Sequence, residues 1–222
     1  MFYSIIIPIF NEKRTLKKLL KEIKLFYDKG NEIIIVDDGS DDGSKLILSR
    51  YNFIKKIYLK KNYGKGIAIK IGIFYSKNNK IITYDGDLEL KTDEISKLMI
   101  LDKRKKVHTV FGIRSKFFNP FFSSHDWGNF IFTTFFNFIN MTNHKDILCC
   151  AKAFFKDDLN SKVLKSNSFD IDVEILTILL KTNKYTNCKQ VLLNYDRRSL
   201  EDGKKLKIRD GFLILKRILM TI

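Results

Sequence analysis

Two aspartates one residue apart, Asp85 and Asp87, directly follow the apolar run at 81–84. Alternate side chains on an extended segment face one way, so both carboxylates can aim at one point. Paired carboxylates suit a hard divalent cation, Mg²⁺ or Mn²⁺, which completes its shell with phosphate oxygens. Such a cation neutralises a leaving diphosphate. Glu89 continues the alternation and is a candidate third ligand. Asp37-Asp38-Gly39-Ser40 follows a second apolar run, and its acceptor oxygens suit ribose hydroxyls or a base N–H. Paired acids also occur in response-regulator pockets, but there they follow the first strand, and here they do not. Asn62-Tyr63-Gly64-Lys65-Gly66 precedes a helical pattern. It reads equally as a turn or as a phosphate contact at a helix start, and it lacks the spacing of a P-loop.

The elements that must position these residues alternate along the first half. Strands are expected at 3–9, 32–36, 53–59, 80–84 and 107–111. Helices are expected at 15–26, 41–50, 66–75 and 94–101. The first helix carries Leu16, Leu19, Leu20, Ile23 and Phe26 at helical spacing. Strands alternating with helices imply an α/β class with a mostly parallel sheet and helices on both faces. Ligands in such sheets sit beyond the carboxyl ends of the strands. Pro8 to Glu12, Asp37 to Ser40 and Asp85 to Asp87 all fall at such ends.

The second half reads differently. Phenylalanine is dense from 117 to 140. Phe132, Phe135, Phe136 and Ile139 form one helical stripe, with Asn129, Thr133, Asn137 and Asn140 on the opposite side. Two readings stand: a core helix closing the sheet, or a surface resting on lipid or holding an acyl chain. A strand near 149–155, a helix near 173–181, a strand near 190–195 and a basic helix from about Lys207 follow. On the expected strand Cys149 and Cys150 point to opposite faces.

The 222 residues are 45% hydrophobic and carry a formal charge of +16. No linker or repeat divides them, so one domain is expected over 1–222, with a nucleotide-binding half at about 1–115 and an acceptor-binding half at about 116–222. The charge attracts polyanions, although Lys-rich composition accounts for part of it. Zinc-finger spacing, basic heptads and aromatic RNA-binding motifs are absent, so nucleic acid is not an expected partner. No secretory leader and no apolar run long enough to span a bilayer are evident. Together these predict a cytoplasmic protein.

Taken together, four stretches resemble the family 2 glycosyltransferases of the GT-A fold: Ser4 to Glu12, Ile35 to Ser40, Gly64 to Ala68 and Asp85 to Glu89. Later residues narrow the resemblance to the branch of dolichyl-phosphate mannose synthase and bacterial polyprenyl-phosphate glycosyltransferases. These are Gly112 to Arg114, His125, Gly128-Asn129, Asn137, Asp146, Cys150-x-Lys152, Phe169, Glu174, Arg198 and Gly203-Lys204-Lys205. Leu148 and Ala151 depart from that branch, which usually has a polar and an aromatic residue there. The resemblance implies a single Rossmann-like GT-A domain. It assigns nucleotide binding to Pro8, Asn11, Glu12, Asp37, Asp38 and Asp85, and metal binding to Asp85 and Asp87, with Glu89 as helper. It places Arg114, Arg198 and Lys205 against phosphates.

The implied reaction is metal-dependent, inverting transfer from a nucleotide-sugar to a polyprenyl phosphate, with Asp87 and Arg114 catalytic. Alternatives are a saccharide or other hydroxyl acceptor, for which Asp146 is the candidate base, and a non-catalytic basic protein binding nucleic acid or lipid. Many bacterial relatives carry two membrane helices after this domain. None follows here, so the expected contact with an anionic membrane surface is peripheral.

Overall fold

The structure is a computed structural model that describes residues 2–115, 124–159, 164–183, 187–196 and 208–220. Seven strands form one sheet: β1 (Tyr3–Ile9), β2 (Glu32–Asp37), β3 (Lys55–Tyr58), β4 (Lys80–Thr83), β5 (Thr109–Arg114), β6 (Lys152–Phe155) and β7 (Cys188–Leu193). Their order is β3-β2-β1-β4-β6-β5-β7. β6 runs antiparallel to both its neighbours, and every other pairing is parallel.

β1 and β2 are near-continuous isoleucine runs because both faces of this sheet are covered. Ile5, Ile7, Ile33 and Ile35 pack with α1 (Lys13–Asp28), α2 (Ser44–Ser49) and α4 (Ile95–Leu98) on one face. Ile6, Ile34 and Val36 pack with α3 (Lys65–Tyr75), α5 (Ser124–Asn140), α6 (Ile171–Asn183) and α7 (Ile208–Leu219) on the other. The expected stripe of α1 is buried throughout. Burying each such side chain contributes roughly 1.5–3 kcal/mol.

Three expected elements change. α2 is shorter than expected because Gly43 takes a left-handed φ of 94°. Asp42 stays outside the helix and accepts the amides of Lys13 (2.8 Å) and Ser44 (2.9 Å). The helix expected at 94–101 is only a 3₁₀ turn at Thr92–Glu94 followed by the single turn α4, with Glu94 bonded sideways to Asn194. Cys149 and Cys150 precede β6 rather than lying on it. Both are buried in the same apolar cluster, so they do not point to opposite faces.

α5 packs its phenylalanine stripe into the core, but its polar side departs from a simple two-faced helix. Phe136 is fully buried and Phe132, Phe135 and Ile139 pack inward as expected. The polar residues do not face solvent, however: Asn129 and Thr133 are buried, and Asn137 binds the 142–144 turn. The outward face is apolar, with Trp127, Phe130, Ile131 and Phe138 exposed.

Candidate active site

The pairing register puts three polar strand ends side by side. Ile9 on β1 is opposite Asp37 on β2, and the Asp38 amide donates to the Ile9 carbonyl at 2.8 Å. β4 flanks β1 on its other side, and the 85–87 turn folds over the end of β1. That close approach needs Gly86, since a Cβ there would lie 2.6 Å from the Ile9 side chain.

Each residue of the β1–β2 corner has a defined position. Pro8 is half-buried at the end of β1. Asn11 has φ 51°, and its backbone amide donates to Ser40 Oγ while its Oδ1 accepts the Asp41 amide. Glu12 is buried at the start of α1 and accepts from the Thr15 hydroxyl at 3.0 Å.

The two neighbouring aspartates of β2 divide their work. Asp38 accepts the amides of Tyr63 and Gly64, each at 2.8 Å. Burial pushes its carboxyl up, against those two donors. Of the two readings of 62–66, the hydrogen bonds support the turn, because two of its amides serve Asp38. Gly64 has φ 100°, and a Cβ on it would sit 2.2 Å from the Asn167 carbonyl. Asp37 accepts the Ser40 amide with Oδ1, but its Oδ2 is buried with no hydrogen-bond partner. A buried carboxylate oxygen without a donor is costly unless a ligand supplies one.

Asp85 is held from behind. The Lys65 ammonium lies 2.9 Å from each of its carboxylate oxygens and 3.0 Å from Asp172 Oδ2. Burial would lower the Lys65 pKa, but Asp172 and Asp85 hold it well above the lysine range. Lys152 lies 3.2 Å from Asp172 Oδ1 and also donates to the Cys149 carbonyl. Asp87 accepts the Glu89 amide at 3.1 Å, across Leu88 in a left-handed φ of 62°. Glu89 accepts the Tyr195 hydroxyl at 3.0 Å.

Among the described residues, no three His, Cys, Asp or Glu side chains form a metal-holding group. Asp85, Asp87 and Glu89 are thus not gathered into a cage of three carboxylates. Two oxygen donors at a strand end still fit a hard cation that takes its other ligands from a diphosphate.

Arg114 and Asp146 form a second cluster. Nε and Nη2 of Arg114 each lie 2.7 Å from Asp146, and Asn129 donates to the same carboxylate at 2.9 Å. Burial would raise the Asp146 carboxyl, but the Arg114 guanidinium and these donors hold it below its ordinary value. This corrects the base expected of Asp146, since its oxygens are taken and it resists protonation. The Nε–Nη2 edge of Arg114 is likewise engaged, by Asp146. Arg114 also stacks against Tyr195, with Cζ 5.4 Å from the ring centroid. Arg198 and Lys205 lie outside the described residues. Of the two positions that depart from the branch, Leu148 is partly buried against the core, and Ala151 is buried with its carbonyl on the Gly112 amide.

Residue reading missed the Asp172–Lys152 pair. One sign was present in the sequence: a single lysine, Lys152, inside the apolar strand Ala151-Lys152-Ala153-Phe154-Phe155. A buried lysine requires a counter-charge.

The arrangement is that of an α/β protein whose polar clusters gather beyond the carboxyl ends of its strands, where ligands of such sheets sit. Residues 4–164 match the family described as Glycosyl transferase family 2, and the chain belongs to that family. It is 36% identical over 108 residues to an undecaprenyl-phosphate 4-deoxy-4-formamido-L-arabinose transferase of Pseudomonas syringae pv. syringae, covering 45% of this chain and 32% of that protein. An equivalent transferase of Edwardsiella ictaluri is 37% identical over 106 residues, covering 44% and 33%. The match thus spans about a third of those relatives' length.

Solved structures of the same fold include glucosyl-3-phosphoglycerate synthase of Mycobacterium tuberculosis, at TM-score 0.75 and 14% identity over 99% of this chain and 80% of that one. Mannosyl-3-phosphoglycerate synthase of Rubrobacter xylanophilus matches at TM-score 0.76 and 14% identity over 100% and 72%. One structure of the mycobacterial enzyme contains Mn²⁺, UDP and phosphoglyceric acid.

Proposed function

We propose that this chain transfers a sugar from a nucleotide-sugar to a polyprenyl phosphate with inversion at the anomeric carbon. The observation that carries the donor site is the set Asp37, Asp85 and Asp87 at the ends of β2 and β4, the parallel strands that flank β1, with Asp37 Oδ2 buried and unpartnered. That oxygen suits an N–H of the base or a ribose hydroxyl. Pro8, Asn11 and Glu12 shape the wall beside it, and Asp38 keeps the 63–64 turn in place.

Mg²⁺ or Mn²⁺ fits Asp87 together with Asp85, and Glu89 supports the turn. When bound, the cation would neutralise charge on the leaving diphosphate. The acceptor phosphate oxygen attacks the anomeric carbon, and the bond to the nucleoside diphosphate breaks. A phosphate monoester is largely dianionic at pH 7 and needs little help from a base. The locked state of Asp146 favours this acceptor over a saccharide hydroxyl, which would need a base. Arg114, Arg198 and Lys205 are proposed to line the acceptor half, with Arg114 acting from its remaining edge.

The lipid part of the acceptor calls for a membrane surface. No helix among the described residues is long and apolar enough to cross one. α5 and α7 instead expose Trp127, Phe130, Ile131, Phe212 and Leu219. Nearby lysines and arginines would each add about 1 kcal/mol on anionic lipid. This supports peripheral attachment.

The test is a panel of nucleotide-sugars with Mg²⁺ or Mn²⁺, with and without polyprenyl phosphate, followed by chromatography of the lipid phase. Labelled sugar should enter the lipid phase only when donor, cation and polyprenyl phosphate are all present. Labelling of a saccharide acceptor alone would favour the second reading.

A further inference from the structure

Four charged side chains form a continuous line that runs from the core to the donor edge. Lys152 and Lys65 are cations, and Asp172 and Asp85 are anions. Asp172 lies between the lysines, with one oxygen 3.2 Å from Lys152 and the other 3.0 Å from Lys65. Lys65 in turn lies between two carboxylates, Asp172 and Asp85. The Lys152 and Asp172 side chains are 1% and 4% exposed, so solvent screens neither. Only Asp85 reaches the ligand edge, at 29% exposure. Asp172 sits in the first turn of α6, where the helix dipole favours a carboxylate.

The line has a consequence for the outermost carboxylate. A lysine bonded only to Asp85 would concentrate its charge there and oppose any cation approaching the same oxygens. With Asp172 on its other side, the Lys65 charge is shared. We propose that Asp172 is a positioning residue of the donor site. It draws on Lys65 so that Lys65 fixes the Asp85 carboxylate without cancelling its charge, and Lys152 balances Asp172. This role rests on the donor-site reading above.

The test is binding of Mn²⁺ in the presence of UDP or GDP, followed by the electron paramagnetic resonance of free Mn²⁺, with thermal unfolding measured in parallel. Asp172→Asn should weaken Mn²⁺ binding about ten-fold, the usual scale for groups that orient a metal ligand. Because Asp172→Asn strands Lys152 in the core, the double variant Asp172→Asn with Lys152→Met is made as well. It should regain wild-type thermal stability and keep the weakened binding. Lys152→Met alone leaves every carboxylate paired and gives Asp172 wholly to Lys65, so binding should be unchanged or tighter.

A merely structural role predicts otherwise: both single variants weaken binding alike, or the double variant binds like wild type. Either result overturns the proposal. If the wild type binds Mn²⁺ and Asp87→Asn does not, such a result rejects the role of Asp172 alone. If the wild type takes up no Mn²⁺ with either nucleotide, the donor-site reading fails and the role of Asp172 fails with it.

Discussion

The β2 end and the Arg114 corner each bury aspartates, yet they treat them in opposite ways. At the corner, both oxygens of Asp146 are taken by Arg114, and Asn129 adds a second donor side chain. At the β2 end, Asp38 is equally engaged, but its neighbour Asp37 keeps one buried oxygen without a donor. Both regions carry acidic residues that sequence reading selects as chemical. The difference is satisfaction. A closed set of hydrogen bonds holds backbone and helix in place, whereas the open acceptor at the proposed donor edge is free to take a ligand's donor.

The comparison can be broken from its closed side first. Asp146→Asn removes a fully buried charge facing a partly buried guanidinium, which costs up to about 3–5 kcal/mol. Urea unfolding should register that loss. The pH dependence has a defined sign. The folded Asp146 carboxyl titrates below its unfolded value, so its contribution is complete above about pH 4 and fades as pH falls through the folded value. Asp146→Asn should therefore lose less stability than wild type on acidification through that window.

The open side is sharpened by a paired substitution. Asp38→Asn leaves one of the two amides, of Tyr63 or Gly64, without an acceptor and should cost about 1–2 kcal/mol of stability. Asp37→Asn should change stability by only about 1 kcal/mol or less, since Oδ1 can still accept the Ser40 amide. Its effect should fall on nucleoside diphosphate affinity, weakened about ten-fold or more by losing a charged acceptor. Denaturation and calorimetric titration of both variants separate the two outcomes. Equal stability losses would erase the distinction between the neighbouring aspartates.

Much of the donor half was legible because local pattern and global fold agree there. Isoleucine runs ended in polar clusters, and adjacent parallel strands brought those clusters together. The 62–66 turn was ambiguous because its glycines serve a backbone contact with Asn167, which lies about a hundred residues further along the chain. α5 misled for a related reason. Its asparagine stripe looks solvent-facing by composition, but a buried Asp146 elsewhere in the chain turns Asn129 inward. Asp172 was hidden because a carboxylate at a helix start is unremarkable until two lysines from distant elements meet it. Each miss is a long-range polar pairing, which periodicity does not encode.

The central claim is that Asp87 and its strand-end neighbours form a cation-assisted sugar-donor site. Its most direct test is single-turnover transfer from the nucleotide-sugar that supports activity, with saturating Mn²⁺, comparing wild type with Asp87→Asn. The account predicts a rate loss on the order of a hundred- to a thousand-fold, with unfolding unchanged. Full turnover by folded Asp87→Asn would contradict it.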